Sequence, residues 1–355
     1  MEFVDLSRYF DVKNPQLLPF SQLRSIEPVW MTQDLQLSDC DGNREYAEQL
    51  AKKSMAVVPI RREPPFEKYL NRSTFPRRIL FEMTSRCNFL CRMCPQQDIT
   101  RPKIDMPHDT IRKVIDEIDS HGIEALSIFQ FGEPLLHRDF RKNIAHINTK
   151  KNLGVIWMST NGELFGDDSI ECALNSNITY INFSANAVTE ETYKTIVDRD
   201  VFSVVQKNLE RLYELKGAHK QQKKPFIRVQ MIEQETTKHE IDIFIKIHHK
   251  RADIVSINML EHINIKNNQF GLQLRGREPL KSCLRVSRND CFIWSNGWVG
   301  LCDSAYNGEI YLGNVHNDRL YEIWNGHERQ RILDLNAKGQ MKDIEFCKSC
   351  TDYDI

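Results

Sequence analysis

The sequence predicts an α/β protein, a partial (β/α)6 TIM-like barrel followed by a small α+β domain. Three observations carry that expectation. Between Arg78 and about Glu261, short apolar runs alternate with stretches of helical period, six times over. Alternation of this kind argues for a parallel sheet with crossover helices, and six such units make about three-quarters of a barrel. The residues with conspicuous chemistry also fall just after the apolar runs, where barrels carry their functional loops. From Lys281 the pattern changes: cysteines return, and Ile293-Trp294-Ser295-Asn296-Gly297-Trp298-Val299 reads as a hairpin with an Asn-Gly turn.

The expected strands are 79–83, 125–131, 154–159, 178–184, 226–232 and 254–260. The expected helices are 109–120, 139–148, 167–174, 190–196, 202–215 and 240–249. In the first helix, Ile111, Val114, Ile115 and Ile118 recur at helical spacing. Before the barrel lie residues 1–77, an extension and linker. A helix is expected from Asn43 to Lys53, and Arg61-Arg62-Glu63-Pro64-Pro65 opens an extended stretch, because Pro-Pro cannot sit inside a helix. Packing of this extension as a cap is its expected role. The expected domains are therefore 1–77, 78–265 and 266–355.

Composition narrows the class. The 355 residues include 48 basic and 49 acidic side chains, so no basic excess points to nucleic acid. The apolar runs are strand-sized, well short of the ~20 residues that span a bilayer. Met-Glu-Phe-Val-Asp-Leu at the start lacks the basic and apolar regions of a signal peptide. A cytosolic protein without membrane or nucleic-acid partners is expected. Ten cysteines in a reducing compartment are metal ligands or buried thiols rather than disulfides, and seven of them fall in spaced groups.

Cys87, Cys91 and Cys94 form the tightest group, in Cys-Asn-Phe-Leu-Cys-Arg-Met-Cys directly after the first expected strand. Thiolates ligate iron–sulfur clusters and zinc. Three thiolates on a four-iron cluster leave one iron open to a small molecule, whereas a structural zinc site wants a fourth ligand. Gln130-Phe131-Gly132-Glu133-Pro134 follows the second strand and Ser159-Thr160-Asn161-Gly162 the third. Each is by itself a turn signal. In the fifth strand, Arg228 and Gln230 share a face by alternation. Glu261 and His262, at the rim after the sixth, are candidate acid/base groups, while His248 and His249 are expected outside on a helix. Cys40 and Cys172 have no partners in sequence and read as buried thiols.

The C-x3-C-x2-C spacing after a first strand resembles the radical SAM superfamily. That resemblance implies a [4Fe–4S] cluster on Cys87, Cys91 and Cys94 whose open iron holds S-adenosylmethionine (SAM), cleaved by an electron to a 5′-deoxyadenosyl radical. An electron donor such as flavodoxin or ferredoxin is then implied. Gly132 and Glu133 resemble the family's Gly-Gly-Glu-Pro loop for the SAM amine, with Phe131 in place of the first glycine. By the same resemblance Ser159, Asn161 and Ser184 reach the ribose or SAM carboxylate, Arg199 lies near a carboxylate-binding arginine, and Met93 packs on adenine. Asn186 stands where relatives carry an acid.

The C-terminal part resembles the SPASM/Twitch extension: Cys283, Gly297-x4-Cys302, Leu312-Gly313-Asn314-Val315, Glu322-Ile323-Trp324 and Cys347-x2-Cys350. One auxiliary [4Fe–4S] cluster on Cys283, Cys302, Cys347 and Cys350 is implied, the shortened Twitch-like count, with a four-cysteine zinc ribbon as the competing reading. Cys291 is the spare, either a substitute for Cys283 or a free thiol near substrate. The expected function is hydrogen abstraction by an oxidoreductase, a dehydrogenase acting on a sugar-like or other small-molecule alcohol. An epimerase, a peptide-modifying maturase and, in another class, a non-catalytic metal-binding scaffold are the alternatives.

Overall fold

The computed structural model describes residues 2–5, 55–58, 73–197, 199–218, 225–249, 251–259, 281–287, 289–348 and 350. In chain order its strands are β1 Glu2–Asp5, β2 Met55–Val58, β3 Arg78–Phe81, β4 Ala125–Ser127, β5 Val155–Thr160, β6 Tyr180–Ser184, β7 Phe226–Glu233, β8 Ile254–Met259, β9 Asp290–Ile293, β10 Trp298–Gly300 and β11 Gly313–Asn314. Its helices are α1 His108–His121, α2 Phe140–Ile147, α3 Asp167–Leu174, α4 Glu190–Val197, α5 Phe202–Ala218, α6 Ile241–His248, α7 Leu284–Ser287, α8 Leu320–Trp324 and α9 His327–Ala337. Every expected barrel strand and helix is present, with ends shifted by a few residues. The largest shift matters: β4 stops at Ser127, which frees 128–133 to form a loop. The expected helix at 43–53 lies outside the described residues.

The chain divides into two compact units. One holds 64–159, 175–177 and 261–355, with strand order β11-β10-β9-β3-β4-β5. Here β3, β4, β5 and β9 run parallel, and β9-β10-β11 form an antiparallel meander. In this unit β3 pairs with β9 over Arg78↔Asp290 to Phe81↔Ile293 and so joins the C-terminal segment to the first barrel strand. Arg78 fixes that register through a bidentate pair with Asp290 at 2.7 and 3.0 Å.

Helix α1 buries Ile111, Val114, Ile115 and Ile118 and hides the Glu117 carboxylate as well. Glu117 accepts from the Leu320 and Tyr321 backbone N–H groups, both at 3.0 Å, at the N-terminus of α8. A carboxylate there satisfies orphan donors and complements the helix dipole.

The second unit holds 1–63, 160–174 and 178–260. Its β6, β7 and β8 are parallel, and β1 and β2 extend the β8 edge antiparallel. His248, expected outside, is buried, with Tyr213 Oη 3.0 Å from its Nδ1. Burial, and then Arg251, lower its pKa to about 4. The expectation failed because α6 is apolar enough to be covered on a broad face, and His248 falls within it. His249 follows it and lies beside the Ile245 carbonyl. Among the described residues no helix is long and apolar enough to cross a membrane.

Candidate active site

The loop carrying Cys87, Cys91 and Cys94 leaves the carboxyl end of β3 and is closed at its base. Ser85 N–H donates to the Ile104 carbonyl at 3.0 Å and Met106 N–H to the Met83 carbonyl at 2.8 Å. Asp105 accepts from Thr84 Oγ1 at 2.7 Å and from Arg86 at 2.9 and 2.8 Å. Burial opposes ionisation of Asp105, but the hydrogen bonds from Arg86 and Thr84 outweigh it and hold its carboxyl below the usual range. Inside the loop, Cys94 N–H donates to the Cys91 carbonyl at 2.9 Å, folding the two cysteines back on each other. Burial pushes the Cys94 thiol to about 11 and also raises Cys91 well above the usual thiol range, where Cys94 and Cys87 add to the effect. Met93 is buried beside them, while Leu90 stands 54% exposed.

The Gly132-Glu133 loop is stitched to this one. The Gln96 carboxamide donates to the Ser85 carbonyl at 3.0 Å and the Phe131 carbonyl at 2.6 Å, and Glu133 N–H donates to the Arg86 carbonyl at 2.9 Å. A Cβ on Gly132 would overlap the Thr84 carbonyl, so only glycine fits where the two backbones touch. Phe131 does not disturb this arrangement. Its ring stacks 6.0 Å from Trp294 and meets Tyr306 edge-on at 5.6 Å. The Glu133 carboxylate is buried and accepts from Leu135 N–H at 3.2 Å, capping the turn Pro134–Leu136.

Cys283, Cys302, Cys347 and Cys350 come together from separate segments. Burial pushes the Cys347 thiol to about 12, helped by Cys302, Cys283 and Cys350. Burial likewise raises Cys283 to about 11, with Cys302 next in effect. Buried Asn336 on α9 pins the Cys283 backbone, accepting from its N–H at 2.5 Å and donating to its carbonyl at 3.1 Å. Arg285 donates to Cys302 Sγ at 3.9 Å and also pairs with Asp303. Among the described residues, no three Cys, His, Asp or Glu side chains converge as tightly as one metal ion requires. Cluster thiolates bind separate irons and stand farther apart than the ligands of one zinc, and an all-thiol donor set is the chemistry such clusters take.

A buried ion pair ties the segment around the first cysteine loop to residues 295–306. Arg101 and Glu82 are both 0% exposed by side chain, and Arg101 Nη2 donates to Glu82 Oε1 at 2.6 Å. Arg101 also donates to the Tyr306 carbonyl at 2.7 Å and lies over the Trp294 ring at 4.8 Å. Ser295 N–H completes Glu82 at 3.0 Å. Tyr306 has its hydroxyl pKa pushed to about 12, by burial first and then by Asp98, Glu309 and Cys94. The sequence reading missed this connection; the only signal was two charged residues, Glu82 and Arg101, inside otherwise apolar or turn-like surroundings.

Residues 81–220 match the family model for the radical SAM superfamily, and residues 283–351 match that for the SPASM iron–sulfur cluster-binding domain. The chain carries a radical SAM domain and a SPASM domain. Its cofactors are accordingly SAM and [4Fe–4S] clusters. Curated relatives include the GTP 3′,8-cyclase of Chlorobaculum tepidum, 26% identical over 37% of this chain and 39% of that one. The tungsten-containing aldehyde ferredoxin oxidoreductase cofactor-modifying protein of Pyrococcus furiosus is 26% identical over 43% of each. The chain spans about two-fifths of the length of these relatives. Among solved structures, BtrN in complex with AdoMet and 2-DOIA aligns with a TM-score of 0.54 at 14% identity, covering 79% of this chain and 95% of that one. Streptococcus suis SuiB bound to S-adenosylmethionine aligns at 0.56 and 13% identity, covering 80% and 70%. The α/β fold is that of the radical SAM family.

The remaining expected site residues have different standing. Ser159 ends the first unit's share of β5, and Asn161 folds into an Asx turn, its Oδ1 accepting from Glu163 N–H at 3.1 Å. Ser184 closes β6. Arg199 differs from expectation: both its Nη atoms pair with Glu163, each at 3.0 Å, so its guanidinium faces a carboxylate of the protein. Cys291 also differs. It is 0% exposed on β9 between Asp290 and Phe292, burial drives its thiol far up, and its charged neighbours are Arg329 and Asp290 rather than cysteines. It packs as core because β9 is flanked by β3 and β10. Glu261, His262 and Cys40 lie outside the described residues.

Proposed function

We propose that this radical SAM enzyme is an oxidoreductase that dehydrogenates a sugar-like or other small-molecule alcohol. The observation that carries the reading is the gathering of four thiols: beyond burial, Cys347 is raised by Cys302, Cys283 and Cys350, and Cys283 by Cys302. Four protein thiolates would saturate one auxiliary cluster, which would leave no iron there to bind a substrate. When bound, the clusters supply the electron that cleaves SAM to a 5′-deoxyadenosyl radical and a one-electron acceptor close to hand. Flavodoxin or ferredoxin is the proposed donor.

The residues of the chain have the remaining tasks. Cys87, Cys91 and Cys94 hold the catalytic cluster, and Gly132 and Glu133 orient the SAM amine. Met93, Ser159, Asn161 and Ser184 are the proposed contacts to the rest of SAM. Glu261 or His262 takes the proton that the substrate releases after hydrogen abstraction. The product is then two hydrogens lighter than the substrate, one lost to 5′-deoxyadenosine and one as a proton. At 13–14% identity, the likeness to BtrN with 2-DOIA and to SuiB with its peptide speaks for fold alone.

Product mass in heavy water, with SAM counted per turnover, tests the reading. A loss of two hydrogens per SAM consumed is expected. An unchanged formula with one deuterium gained at carbon identifies an epimerase, and a new sulfur or carbon crosslink in a peptide identifies a maturase. A reduced, iron-loaded protein that makes no 5′-deoxyadenosine would leave the non-catalytic scaffold.

A further inference from the structure

In the unit that carries β6, β7 and β8, one face of the sheet is apolar at Tyr180, Phe226 and Ile254 and largely polar beyond them along each strand. The parallel registers align Asn182 with Arg228, and Ser184 with Gln230 and Ser256. Side chains alternate along a strand and register partners share a face. Asn182, Ser184, Arg228, Gln230, Ser256 and Asn258 therefore lie on one side. The other side carries Phe183, Val229, Met231 and Val255, each at most 1% exposed. A parallel sheet ordinarily buries apolar residues on both faces, and burying polar ones is costly unless they meet partners.

The Arg228 guanidinium is buried at the centre of this face. It reaches past its register partner Ile254 to donate to Ser256 Oγ at 2.7 Å and Asn258 Oδ1 at 3.4 Å, toward the carboxyl end of β8. Ser256 Oγ in turn donates to Asn258 Oδ1 at 2.6 Å. Just beyond the strand ends sit two further carboxamides. Asn186 Oδ1 and both polar side-chain atoms of Gln234 are buried without a hydrogen-bond partner among the described residues, at 6% and 7% exposure of the residues. Asn186 also holds φ at +59°, uncommon for a residue other than glycine. Native structures orphan few such groups, and a ligand that completes them is one physical explanation.

We propose that this face binds the anionic end of a polyhydroxylated small-molecule substrate, with Arg228 holding a carboxylate or phosphate oxyanion and Asn186 and Gln234 reading hydroxyl groups. A guanidinium fork matches an oxyanion bidentately. A carboxamide both donates and accepts, as a hydroxyl does. The assignment rests on the small-molecule reading given above and names the class of molecule.

Isothermal titration of the SAM-loaded, cluster-loaded protein tests it, with D-gluconate, D-glucose 6-phosphate and neutral sorbitol as the probes. At least one anion is expected to bind about tenfold or more tightly than sorbitol, the scale of a charge-assisted pair. Which anion binds better separates carboxylate from phosphate. In Arg228→Met the preference is expected to fall below about twofold, with SAM affinity and iron content unchanged. Arg228→Lys keeps the charge without the fork and should retain part of the preference; if the Met variant fails to fold, this variant decides, and full retention counts against the proposal. Gln234→Leu should weaken anions and sorbitol alike. Equal binding of anions and sorbitol overturns the proposal, as does an undiminished preference in Arg228→Met. Loss of SAM affinity in that variant also overturns it, because Arg228 would then serve the SAM carboxylate. None of these readouts involves turnover, so a failed oxidation assay sinks the dehydrogenase reading and leaves these isotherms standing.

Discussion

Cys87, Cys91 and Cys94 sit within eight residues on one loop, whereas Cys283, Cys302, Cys347 and Cys350 come from three places spread over 68 residues. The first set is local in sequence, and its loop is tied at the base by Thr84, Arg86 and Asp105. The second set exists only after β9, β10 and α9 have packed, with Asn336 bridging to Cys283 from 53 residues away. A local set needs little more than its own loop to form, while a dispersed one depends on the cooperative fold of its domain. The buried Arg101–Glu82 pair and the Phe131–Trp294–Tyr306 rings are where the two sets depend on the same packing.

Removing each set in turn breaks the comparison most completely. Cys87→Ala, Cys91→Ala and Cys94→Ala together should remove about four irons and abolish 5′-deoxyadenosine formation, because no open iron remains for SAM. The four-alanine variant of the dispersed set should also lose about four irons yet still cleave SAM, without forming product. Iron analysis and chromatography of 5′-deoxyadenosine check both, and SAM cleavage by the triple variant would sink the catalytic assignment.

Next in size is the shared ion pair. Arg101→Met leaves Glu82 charged and buried, which should cost about 3–5 kcal/mol, whereas the Arg101→Met/Glu82→Leu double variant should recover much of that. Chemical denaturation of both proteins reads the difference; an equal loss in the two would mean that packing, not charge, governs the contact. Gly132→Ala follows, with a loss of roughly 1–3 kcal/mol and poorer iron loading of the local set only, since its Cβ would collide with the Thr84 carbonyl.

Glu133→Ala sharpens the role of the loop beside the local set. Loss of a charge-assisted bond worth roughly 1.5–3 kcal/mol should weaken SAM binding about ten- to a hundredfold with iron content unchanged. Equal SAM affinity in a titration would confine Glu133 to capping its turn.

The last effect, spread over a pH range rather than set by one deletion, lies in the other unit and involves neither set. Burial and then Arg251 depress His248, while Glu210 opposes them, so the folded pKa is about 4 against 6.5 for the free side chain. The unfolded chain therefore binds the proton first, and stability present above pH 6.5 is lost as pH falls toward 4, up to about 3 kcal/mol. His248→Phe should flatten that slope in melting experiments between pH 7 and 4. An unchanged slope would place the acid sensitivity elsewhere.

Much of this protein was legible because its signals are local. The periods of 2 and 3.6 placed every barrel strand and helix, and the three-cysteine loop follows the strand where the sequence puts it. The Gly132-Glu133 turn was legible for the same reason. The failures were contacts between segments far apart in sequence. Arg199 could not be known to face Glu163, 36 residues earlier, nor His248 to lie under Tyr213, 35 residues earlier. Cys291 read as a spare thiol because its burial depends on β3, some 212 residues before it.

The sequence by itself determined the alternation of strand and helix, the three-cysteine loop and the supply of four further thiols. Each follows from neighbours along the chain, where periodicity and backbone stiffness act. Only the tertiary structure decided which cysteines gather, which charges are buried as partners, and that one face of β6-β7-β8 turns polar along its strands while the other stays apolar. Those outcomes depend on strand register and on desolvation, which are set by residues brought together from anywhere in the chain.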